Sequence, residues 1–96
     1  MSLDLPLKEI VLFELPSRRL AERLLTHLAS SRLAWLQNCD LGSIVGVLLN
    51  PDELDLALVL RTVQAWLERC GLAAIRFELD GRMYVLEARQ PAVAVG

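Results

Sequence analysis

Ile44-Val45-Gly46-Val47-Leu48-Leu49 contains no polar side chain. Ile and Val favour a pleated surface. A strand that packed one face and wetted the other would alternate apolar with polar residues, and this one does not. Ile10-Val11-Leu12-Phe13 repeats the pattern. Two strands of this kind describe a sheet whose two faces are both covered.

Asp40-Leu41-Gly42-Ser43 supplies turn chemistry just upstream. The run therefore returns antiparallel to a strand over Leu33–Asn38, with Leu33 and Trp35 on one side and Ala34 and Leu36 on the other. A glycine inside a strand, here Gly46, marks a bulge or the close approach of another group. Further upstream, Leu7–Leu15 reads as the first strand, bracketed by Pro6 and Pro16. Ser17 offers an N-cap for a helix to Ser30. Leu20, Ala21, Leu24, Leu25, Leu28 and Ala29 recur at helical spacing and form its apolar face.

Downstream, Asn50-Pro51-Asp52-Glu53 combines a cap, a proline at the first helical position and an acid where a capping box places one. The helix runs to Cys70, and Gly71 supplies a left-handed stop. Leu56, Val59, Leu60, Val63, Trp66, Leu67 and Cys70 share one face; Leu54, Leu58 and Ala65 lie nearly opposite. Ala74–Leu79 alternates cleanly, Asp80-Gly81 is a two-residue hairpin turn, and Arg82–Ala88 returns. The turn pairs Leu79 with Arg82, Phe77 with Tyr84 and Ile75 with Leu86, which sends Phe77, Tyr84, Ile75 and Leu86 to the helix side.

The order is β-α-β-β-α-β-β. Its first six elements match the split βαβ pattern, so the expected fold is α+β: a ferredoxin-like βαββαβ sandwich with an extra C-terminal strand, an antiparallel sheet and two helices on one face. The expected sheet order is 4-1-3-2, with the fifth strand beside the fourth. The 96 residues make one domain, ordered from about residue 7 to residue 89 with a small-residue tail over 90–96.

Composition narrows the function classes. The net charge of -2 gives no electrostatic reason to expect nucleic acid, and Ile44–Leu49 lacks the aromatic residues an RNA-recognition module stacks on bases. No apolar run approaches the about 20 residues of a spanning helix, and nothing reads as a signal peptide. Cys39 and Cys70 fit no zinc or redox spacing and read as reduced, buried thiols. A cytoplasmic location follows, with no membrane partner and no cofactor expected.

The polar residues have structural readings. His27, the only histidine, stands at the edge of the first helix's polar arc. Asp52, Glu53 and Asp55 suit the first turn of the second helix; Asp40 and Asp80 suit turns. No catalytic or metal-ligating residues are assigned. Ser17-Arg18-Arg19 is the best polar candidate, two guanidinium groups at a helix N-terminus where a small anion could dock.

The apolar excess, 54% of residues, needs an outlet. The helices cover one face of the sheet, so a homodimer or higher homo-oligomer is expected to cover the other. The interface is expected at Ile10, Leu12, Val45 and Val47, with Leu54 and Leu58 on the outer side of the second helix. The chain then reads as a non-enzymatic oligomerisation or protein-interaction module. The alternative is a small-ligand-binding regulatory domain, with its site at the dimer interface or at the N-terminus of the first helix. Amino-acid-binding domains of the ACT type share the element order, but their glycine-bearing turn after the first strand is replaced here by Pro16-Ser17-Arg18, so the likeness is architectural only. A cofactor-free enzyme of the dimeric ferredoxin-like barrel kind lacks support from a second histidine or from a buried-looking acid in the strands.

Overall fold

A computed structural model describes residues 10–39, 42–50 and 53–88. Its elements are β1 (Ile10–Leu15), α1 (Arg18–Ala29), β2 (Ala34–Cys39), β3 (Gly42–Leu48), α2 (Glu53–Cys70), β4 (Ala74–Leu79) and β5 (Arg82–Glu87). The fold is α+β, a five-stranded antiparallel sheet with two helices. The sheet order is β2-β3-β1-β4-β5, so β1 lies between β3 and β4, and β2 and β5 form the edges. The expected start of β1 at Leu7, the tail over 90–96 and the turn residue Asp40 lie outside the described residues.

Local chemistry sets the element ends. Ser17 has an extended backbone and its Oγ accepts the Leu20 N–H at 3.2 Å, which satisfies one of the unpaired amides of the first turn of α1. At the end of α2, Leu72 N–H donates to the Leu67 carbonyl and Gly71 N–H to the Glu68 carbonyl. This is a Schellman closure, and it requires the positive φ of +75° at Gly71. Pro51, Asp52 and the Glu53 side chain of the expected capping box lie outside the described residues. The Asp55 carboxylate, within the first turn of α2, accepts the Asn50 N–H at 2.7 Å.

The core sits between the helices and one face of the sheet. Val11, Phe13 and Leu15 of β1, Val45 and Val47 of β3, and Ile75 and Phe77 of β4 pack with Ala21, Leu24 and Leu28 of α1 and Val59, Val63, Trp66 and Leu67 of α2. The cross-strand register lines up Leu36, Val45, Phe13, Phe77 and Tyr84 across all five strands. Phe13 and Phe77 have ring centroids 5.7 Å apart, and Phe77 and Tyr84 stack at 5.3 Å. The β4–β5 register matches the sequence expectation pair for pair. Tyr84 is the exception in burial: it ends the row on an edge strand and stays 42% exposed.

Val45 and Val47, expected at an interface, are fully buried in this core. The β1–β3 register explains the correction. Phe13 lies opposite Val45, Val11 opposite Val47, and Leu12 opposite Gly46. Directly opposed residues share a face, so Ile10 and Leu12 cannot point the same way as Val45 and Val47. The outward residues of β3 are Ile44, Gly46 and Leu48.

Candidate functional site

Successive strand residues point to opposite faces, so the same register that builds the core also writes out the helix-free face, row by row. One row holds Leu33, Leu48 and Ile10. The next holds Trp35, Gly46, Leu12, Glu78 and Met83, and a third Gln37, Ile44, Glu14, Arg76 and Val85. The apolar part is centred on β2, β3 and β1. Arg76 and Glu14, 3.4 Å apart, separate it from Met83 and Val85 on the β5 edge.

Trp35 gives this face its shape. A Cβ at Gly46 would run into the Trp35 indole, so the ring lies across the β3 backbone where glycine leaves room. Its N–H donates to Gln37 Oε1 at 3.2 Å. Packed around it, Leu12, Ile44 and Leu48 are half-buried, whereas Leu33 is 63% and Ile10 43% exposed. Ile10 and Leu12 thus lie on the helix-free face. Leu54 and Leu58 are exposed on the outer side of α2, away from the sheet.

The three candidate side chains at the helix N-terminus have different surroundings. Ser17 Oγ is occupied by its own helix, and Arg18 pairs with Glu22 at 3.1 Å on the surface. Arg19 points instead into an open groove of about 510 Å³ between α1 and α2, with Glu22, Arg23, Thr26, His27, Trp66 and Arg69. In this groove Arg69 Nη2 lies 3.4 Å from His27 Nε2.

The buried charge lies elsewhere. Asp55 receives both carboxylate hydrogen bonds from Arg32 Nη1 at 2.9 Å, besides the Asn50 N–H. Burial pushes the Asp55 carboxyl upward, but the Asn50 N–H and the Arg32 guanidinium outweigh it and hold the group below its ordinary value. Arg32 follows α1 and Asp55 opens α2, so the pair ties the loop before β2 to the start of α2. The acid was legible as a helix-start residue; its partner, 23 positions away in sequence, had no signal.

Among the described residues no group of three or more His, Cys, Asp or Glu could hold a metal ion, and no helix is long and apolar enough to cross a membrane. The Cys70 thiol is free and half-buried; the Cys39 side chain lies outside the described residues. Comparison with protein-family models, curated proteins and solved structures returns no match.

Proposed function

We propose that this chain is a ferredoxin-like domain with an added fifth strand, and that it acts as a non-enzymatic assembly module whose partner is a second copy of itself. The helix-free face carries the proposal. Leu33, Leu48 and Ile10 in one row, and Trp35 and Leu12 in the next, form a contiguous apolar patch that neither described helix covers. Monomers seldom leave a patch of that kind in water.

Its border favours a copy of the same surface. Glu14, Glu78 and Arg76 bring both signs of charge to the edge of the patch. A two-fold contact presents one patch to itself, residue i meeting j and j meeting i, so an apolar centre beside a mixed-sign rim is self-complementary. Burial of the patch would remove apolar area from water at about 25 cal/mol per Å².

Light scattering on two single variants tests the face. Ile10→Lys, on the patch, is expected to give a monomer with unchanged far-UV circular dichroism. Leu58→Lys, on the outer side of α2, is expected to keep the parent's mass. Loss of assembly in Leu58→Lys alone would move the contact to the helix and overturn the proposal.

A further inference from the structure

We infer that the groove between α1 and α2 is a binding site for a compact polyanion of the phosphate class, a pyrophosphate or triphosphate group. Arg19, Arg23 and His27 occupy positions i, i+4 and i+8 of α1, one line of side chains spaced about 6 Å per step. Arg69 faces them from α2, close enough to contact His27 at 3.4 Å. Trp66, 6% exposed, forms the apolar wall behind them.

Among the described residues the arginines in ion pairs are Arg18, Arg32 and Arg76, none of which lines the groove. Among the described residues Arg19, Arg23 and Arg69 have no ion-pair partner, and the lining acid, Glu22, pairs with Arg18. Three guanidinium groups outside any ion pair among the described residues, Arg69 in contact with His27, thus concentrate in one groove of a chain whose net charge is -2.

Guanidinium forks match phosphate oxygens bidentately. They line one groove from two helices, and its size, about 510 Å³, falls in the small-ligand range. The site lies on the helix side of the molecule and is independent of assembly through the sheet.

The single histidine makes the site observable. Pyrophosphate and tripolyphosphate are titrated into the full chain, with binding followed by calorimetry and by the ring proton resonances of His27. Saturable binding with a His27 shift that tracks occupancy is expected. Arg23→Gln and Arg69→Gln are each expected to weaken it by about tenfold or more. Arg61→Gln, an exposed charge on α2 outside the groove, should leave it unchanged. Adenosine triphosphate reads whether a base adds to affinity; binding equal to or tighter than tripolyphosphate supports the site. No saturable binding, binding without a His27 shift, or equal weakening by Arg61→Gln would overturn the inference. So would an acidic peptide that binds more tightly than pyrophosphate.

Discussion

Asp55 shows how much one buried carboxylate can organise. It takes a main-chain N–H from Asn50 and a side-chain N–H group from Arg32, so its loss strands a part-buried guanidinium and an amide together. Asp55→Ala is expected to destabilise the fold by about 2 kcal/mol, measured by urea denaturation. The same contacts give a pH signature. A carboxyl whose folded value lies below its unfolded value stabilises fully above the unfolded value, and the contribution is lost as pH falls through the folded value. The parent's stability should therefore decline on the acid side of the ordinary carboxylate range more steeply than that of Asp55→Ala. Equal acid limbs in the two proteins would remove Asp55 as the cause. Gly46 makes a different kind of prediction, since only space is at issue. Gly46→Ala drives a methyl into the Trp35 indole and should cost about 1–3 kcal/mol. In a double-mutant cycle with Trp35→Ala most of that cost should vanish. The glycine was legible as a place of close approach. The group that approaches it was not, because nothing local in the sequence ties Trp35 to Gly46.

At the scale of elements, the β4–β5 hairpin and the central strands contrast. Asp80 and Gly81 both have positive φ, 56° and 79°, as the two-residue turn demands. A Cβ at Gly81 would meet nothing within 4 Å, so strain alone opposes a side chain there. Gly81→Val should cost about 1–2 kcal/mol, read as a fall in the denaturation midpoint without loss of the strands. The hairpin register followed from this turn and from the clean alternation of Ala74–Leu79. β1 and β3 offered no such guide: with apolar residues at every position, either set could face the helices. What decided the matter was the pairing of Phe13 with Val45 and Phe77, which puts the large rings under the helices and leaves Gly46 on the open side. The expected interface was mistaken at Val45 and Val47 for that reason. Tyr84 was assigned to the right side of the sheet, but its place at the end of an edge strand leaves it half in water.

For the whole molecule, the sheet divides two kinds of surface. The helix side carries a filled core and, between the helices, the arginine groove; the other side carries an apolar patch that no described helix covers. The non-alternating strands alone raise the expectation of a cover, and the register shows which of their residues face away from the helices. The arginine groove was readable only in part. Arg19 stood out beside a helix start, but its company comes from a second helix whose approach no local pattern encodes. The proposed assembly through the patch would place Trp35 at the contact, so the parent's tryptophan emission should shift to shorter wavelength as concentration rises, and Ile10→Lys should abolish that shift. The most direct test is sedimentation equilibrium of the parent protein from low micromolar to near-millimolar concentration. An average mass that rises from the monomer value of 10.7 kDa toward a stable multiple of it is the expected result; a mass of 10.7 kDa at every concentration would contradict it.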